Sequence, residues 1–140
     1  MPLGGLNRVI WAVMLLALAV LAHRTYDDFT LYFAGVGKLD VRVESAQNTV
    51  YLDWRGKIEA PMANRISEAF NQHRGQARRF VLSLSSPGGS LDHGAEVVRL
   101  LRRMGETHEV DTLVEARRAC ASMCVPIYLQ GQKRTAAANA

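Results

Sequence analysis

The first pattern along the chain is a charge-free block at residues 9–22, VIWAVMLLALAVLA, with Arg8 ahead of it and His23 and Arg24 behind. Fourteen such residues suit a signal-peptide core better than a membrane span, which needs about 20. An uncleaved anchor and a buried core helix are the other two readings. Ala17, Ala19 and Ala22 offer small residues at which a signal peptidase cuts. Cleaved or not, an export segment puts the rest of the chain outside the cytoplasm, in the periplasm or facing it, and Arg8 on the near side agrees. Residues 25–38 are mixed and close on Gly35 and Gly37, which predicts a linker or a short strand.

Residues 39–44 then alternate apolar and charged, the period of a half-exposed strand. A turn follows at 45–48, and TVYLDW at 49–54 is β-branched and aromatic, which predicts a second strand. Pro61 opens a helix at a position where its missing N–H is harmless. Met62, Ile66 and Phe70 make one apolar stripe on it, and Gly75 ends it. Residues 80–85, FVLSLS, read as a buried strand. A helix over 90–104 places Leu91, Ala95, Val98 and Leu101 inward, and Gly105 stops it. Residues 110–114 predict another strand and 122–129 a short helix. The small residues of 134–140 predict no element. Strand, helix, strand, helix, strand, helix from Thr49 onward predicts an α/β domain with parallel pairing and right-handed crossovers. The expected organisation is an export segment or anchor at 1–24, a linker and first strand region at 25–48, and a domain at 49–140.

Composition adds limits. A chain of 140 residues, 49% apolar and 21% charged, has room for one globular domain. The net charge of +4 comes with scattered arginine doublets (Arg78 and Arg79, Arg102 and Arg103, Arg117 and Arg118). Nucleic-acid binding needs a concentrated basic footprint, so no nucleic-acid partner is expected. Cys120 and Cys124 are too few for structural zinc, and no metal or cofactor is expected. Packed thiols and a local disulfide both remain open for them.

Two segments carry chemistry. Residues 85–90, SSPGGS, join a buried strand to a helix, and Gly88 and Gly89 let the backbone approach a ligand closely. Amides of such a turn suit an anion or a developing oxyanion; a plain tight turn is the simpler alternative. Residues 120–124, CASMC, again lie where a strand hands over to a helix. A serine there, Ser122, sits at the mouth of the sheet beside the Met123 amide, the logic of a nucleophile elbow. An ordinary helix N-cap is the simpler alternative for Ser122.

Together these segments resemble the ClpP proteolytic subunit and its exported relatives in the crotonase-like group. Val50, Tyr51 and Leu52 with Gly56, Ile58 and the helix through Ile66 resemble that family's first strand and helix. Residues 82–90 and Gly94 resemble its oxyanion strand and loop, and Ala121, Ser122 and Met123 the segment bearing its nucleophile. Gly131 and Arg134 match the stretch beyond. The flanking cysteines look more like periplasmic ClpP-class proteins with a CxSxC segment. The resemblance implies a crotonase-like β-β-α superhelix, of which this chain holds the N-terminal portion behind an apolar helix. It also implies a serine peptidase with Ser122 as nucleophile and an oxyanion hole from Gly88, Gly89 and Met123. A peptide or protein substrate, a homo-oligomer when complete, and membrane contact through residues 9–22 if uncleaved follow from it.

The family's general-base histidine and its aspartate come after Arg134, and this chain ends at Ala140 before either. The expectation is a fragment, a truncated product or an inactive relative. His93, one turn into the helix after the glycines, is close enough to be a candidate base, although the family does not place its base there; a surface helix residue is the other reading. A serine without a base is a poor nucleophile. The competing function is a non-catalytic binding or assembly module on the same fold; acyl-thioester chemistry would leave Ser122 without a role.

Overall fold

The computed structural model describes residues 3–33 and 37–140, so the linker glycine Gly35 lies outside the described residues. Two compact units are present, Met1–Thr30 and Leu31–Ala140. Helix α1 (Leu3–Phe33), most of which forms the first, is 31 residues long, or about 46 Å at 1.5 Å per residue. It is much longer than the 14-residue block, because neither glycine nor proline interrupts the sequence between Leu6 and Phe33. The linker or strand predicted from residue 25 is therefore helical as far as Phe33. Thr25 stays in register by donating its hydroxyl to the Leu21 and Ala22 carbonyls, both at 3.0 Å. Within α1, Val9–Tyr26 has mean hydropathy 1.7 and no buried residue. By length and composition it is sufficient to cross a membrane, a test that signal sequences also pass.

The second unit is a five-stranded sheet in the order β1-β2-β3-β4-β5. Strand β1 (Lys38–Glu44) runs antiparallel to β2 (Thr49–Arg55), with Val41 opposite Leu52. Asn48, at φ 49°, closes the turn between them, a left-handed position that asparagine tolerates. Helix α2 (Pro61–His73) leads to β3 (Arg79–Ser85), and α3 (Leu91–Gly105) to β4 (Glu109–Val114). Helix α4 (Cys124–Tyr128) precedes β5 (Arg134–Ala136), and β2 through β5 pair in parallel. This is the α/β alternation that the sequence predicts.

Val50, Leu52 and Trp54 of β2, Phe80, Leu82 and Leu84 of β3, and Val110 and Val114 of β4 share one core. The α2 stripe Met62, Ile66 and Phe70 and the α3 residues Val97, Leu101 and Met104 join it. Burying each large side chain contributes about 1.5–3 kcal/mol, which is why period-2 and period-3.6 patterns fix these elements. Most alternate strand positions are polar, Val81 and Leu113 excepted. Asp53 lies among them, paired with Arg55 at 3.0 Å and with Arg118 at 2.5 Å.

Two expectations fail. Leu91 is 73% exposed; Leu101 is buried as expected, and α3 turns Gly94, Val97 and Met104 inward with it. Leu91 occupies the first helical position, beyond the reach of the core that anchors the later turns. The second is the featureless tail, which contains β5. Lys133 O accepts from Thr112 N–H at 3.0 Å, Lys133 N–H donates to Asp111 Oδ1 at 3.0 Å, and Gln132 N–H donates to Val110 O at 2.8 Å. Three exposed residues on a sheet edge have no apolar period to read.

Candidate active site

The glycine turn is held from both sides by backbone. Beyond β2, Gly56 N–H donates to Ser85 O at 2.9 Å. Ile58, fully buried, then runs beside the turn: its N–H donates to Gly88 O and its carbonyl accepts from Ser90 N–H, both at 2.9 Å. On the other side Ser86 N–H donates to Ala119 O at 2.8 Å and Ser86 O accepts from Ala121 N–H at 3.0 Å. These two bonds extend the β3–β4 pairing past the end of β4 and bring the two chemistry-bearing segments side by side.

Gly88 and Gly89 have φ of 103° and 156°, which side-chain-bearing residues rarely adopt. A Cβ on Gly88 would stand 2.7 Å from Ser122 Cβ and 3.1 Å from its Oγ, so only glycine admits this approach. On Gly89 it would meet the Ile58 carbonyl oxygen and stand 2.8 Å from the Ile58 nitrogen.

Ser122 itself has φ 52°, a left-handed conformation without glycine's freedom. Its side chain is exposed, and its hydroxyl makes no hydrogen bond among the described residues. The N-cap of α4 is Met123, with no side-chain cap. Ser122 is thus not the capping serine of the simpler alternative, and α4 starts two residues later than predicted because the left-handed residue interrupts helical geometry. Cys120 and Cys124 are joined by a disulfide with their Cα atoms 5.2 Å apart. The packed-thiol alternative does not hold: the turn at Ser122 brings Cys120 out of helical register and within bonding reach.

The buried Ser86 escaped the sequence reading. Its Oγ accepts from Gly88 N–H at 3.1 Å, so the Gly88 amide is engaged within the turn. The Gly89 and Met123 amides make no hydrogen bond among the described residues. Nothing local distinguishes such a serine from any polar residue before Pro-Gly-Gly.

The Met123 side chain packs on α3, where a Cβ on Gly94 would meet Met123 Cγ and lie 2.6 Å from its Cε. Gly94→Ala should therefore destabilise, although alanine is the better helix former by about 1 kcal/mol. Met123→Ala in the same chain should relieve the clash. A double-mutant cycle by chemical denaturation should give a favourable coupling of about 0.5–3 kcal/mol, and strict additivity would refute the contact.

His93 Nδ1 lies 3.7 Å from Glu96 Oε2. His108 bonds the Arg74 carbonyl through Nε2 at 2.9 Å and packs on Phe70 and Phe80. His73 ends α2, and His23 belongs to the N-terminal unit. Among the described residues no histidine hydrogen-bonds to Ser122, and no cluster of three metal-ligating side chains occurs.

No protein-family model matches this chain, and no curated protein matches it. Among solved structures it is similar to a mutant ClpP1 from Listeria monocytogenes, with a TM-score of 0.52 at 18% identity. The likeness covers 65% of this chain and 52% of that one, so the chain spans about half of the relative's length. It shows a ClpP-like fold.

Proposed function

We propose that the chain carries the nucleophile half of an exported or membrane-anchored serine peptidase. Ser122 Oγ attacks the scissile carbonyl, and the amides of Gly89 and Met123 receive the developing oxyanion, with Gly88 shaping the approach. Backbone donors aimed at that charge act without reorganising, and each is worth about 2.7–4 kcal/mol to the transition state. The observation that carries the reading is the left-handed Ser122 set against a glycine turn that no side chain could occupy. Strained serines at a strand-to-helix junction are where nucleophiles sit. The proton leaving Ser122 needs a base, which in this reading lies outside these 140 residues, on a continuing β-β-α superhelix. The substrate class is a peptide or protein, and the complete assembly is a homo-oligomer.

A tagged fluorophosphonate should form its adduct on Ser122, and Ser122→Ala should remove it. An adduct elsewhere, or none even when a histidine-bearing segment is supplied, sinks the hydrolase reading. The non-catalytic binding module then takes its place, a reading favoured by no histidine hydrogen-bonding to Ser122 among the described residues and by His108 being held at the Arg74 carbonyl. Export rests on α1. Alkaline phosphatase, which is active only where disulfides form, should be active when fused after Ala140; activity confined to a cytoplasmic reporter would overturn export.

A further inference from the structure

The disulfide encircles the residue that the proposed chemistry depends on. Cys120 and Cys124 are four positions apart, and the ring they close contains Ala121, Ser122 and Met123. Cys124 is fully buried in the core, whereas Ala121 and Ser122 are exposed. At one end the ring is tied to the glycine turn through the Ala121 N–H bond to Ser86 O. At the other, Met123 is tied to α3 through Gly94. Between these ties stands Ser122 with φ 52°, a conformation that an unrestrained serine leaves for a right-handed or extended one. The described hydrogen bonds of this segment are the Ala121 bond to Ser86 and the first turn of α4, from Cys124 N–H to Ala121 O and Val125 N–H to Ser122 O. The Ser122 carbonyl accepts the last of these, but its amide and hydroxyl make none, so on its N-terminal side no hydrogen bond of its own fixes this residue.

We infer that the Cys120–Cys124 disulfide is a positioning device that holds Ser122 left-handed and its hydroxyl against Gly88, so that the site is assembled only in the oxidised chain. The inference rests on the reading of Ser122 as nucleophile and on export to an oxidising compartment. It adds that the site is latent while the two cysteines are thiols. A dithiol breaks the bond by exchange, delivering two electrons and two protons to give two thiols, and is itself oxidised to a cyclic disulfide. A chain still in a reducing compartment then carries a relaxed Ser122 and a hydroxyl displaced from the glycine turn.

The test uses the full chain in detergent micelles, isotope-labelled and examined by NMR before and after reduction with dithiothreitol. A positive φ brings a residue's amide proton close to its own Hα and gives a strong intraresidue cross-peak. On reduction the Ser122 cross-peak should weaken several-fold, while those of Leu52, Leu82 and Val97 stay unchanged and show that the core persists. Cys120→Ala with Cys124→Ala should match the reduced chain without added reductant, and reoxidation of the unmodified chain should restore the cross-peak. A Ser122 cross-peak equally strong in the reduced chain and in the double variant overturns the inference. If the double variant does not fold, the reversible reduction of the unmodified chain decides alone. Fluorophosphonate labelling of the same samples, with a histidine-bearing segment supplied, reports the nucleophile separately. Absence of labelling in the oxidised chain defeats the hydrolase reading, whereas an oxidation-independent cross-peak defeats the positioning role.

Discussion

Ser122 will react with a fluorophosphonate roughly 10²–10⁴-fold faster in a form of the protein that brings it a histidine base than in residues 1–140 alone. Its hydroxyl is protonated at neutral pH, and amides that stabilise an oxyanion act on a transition state that the serine rarely reaches while it keeps its proton. Among the described residues no histidine hydrogen-bonds to Ser122: His108 is bound to the Arg74 carbonyl, and His93 Nδ1 lies 3.7 Å from Glu96 Oε2. The pH profile separates the two forms. Only a neutral imidazole accepts a proton, so the rate of the base-bearing form should rise through about pH 6–7 and then level. Residues 1–140 alone should show no such step. Ser122→Ala in the base-bearing form should return labelling to background. Fast labelling of residues 1–140 by themselves would mean a base within them, with His93→Ala the variant to make first.

Gly89→Ala will lower the stability of the folded domain by about 2–6 kcal/mol. At φ 156° the added Cβ would meet backbone, the Ile58 carbonyl oxygen and the Ile58 nitrogen, not the yielding end of a side chain. To admit it, the Ile58 segment must move away from the turn, which breaks its bonds to Gly88 O and from Ser90 N–H. Each bond is worth about 0.5–1.5 kcal/mol, and backbone strain adds about 1–3 kcal/mol. Domains are stable by about 5–15 kcal/mol in total, so the loss is severe. The chain has two tryptophans, Trp11 and Trp54. In a Trp11→Phe background, Trp54, fully buried in the core, reports unfolding by fluorescence during urea titration. A change below about 0.5 kcal/mol, the range of neutral surface substitutions, would contradict the close approach. Gly88→Ala, at φ 103°, would press on Ser122 Cβ and Oγ and on the Ala121 carbonyl oxygen; it should damage labelling as well as stability.

Much of the fold could be read from the chain because local pattern and burial coincide. Val50, Leu52 and Trp54, then Phe80, Leu82 and Leu84, alternate with the pleat, and Met62, Ile66 and Phe70 follow the helical turn. Such periods are properties of consecutive residues. Gly88 and Gly89 announced a tight turn for the same reason, since positive φ is a demand that the backbone makes on single residues.

What stayed hidden depends on partners distant in sequence. Leu91 and Leu101 are the same residue type on one helix, yet one is exposed and the other buried, because the sheet reaches only one of them. Strand β5 exists because β4 offers an edge, not because Arg134, Thr135 and Ala136 favour extension. The sequence by itself determined the order of strands and helices as far as α4, the apolar N-terminal helix and the glycine turn. The tertiary structure alone decided that Ser86 joins that turn to Ala119 and Ala121, that Ser122 is left-handed beside Gly88, and that the cysteines are bonded. Each of these is a pairing across space, and a one-dimensional pattern records the energy of local conformation and burial but not which distant backbone a turn will meet.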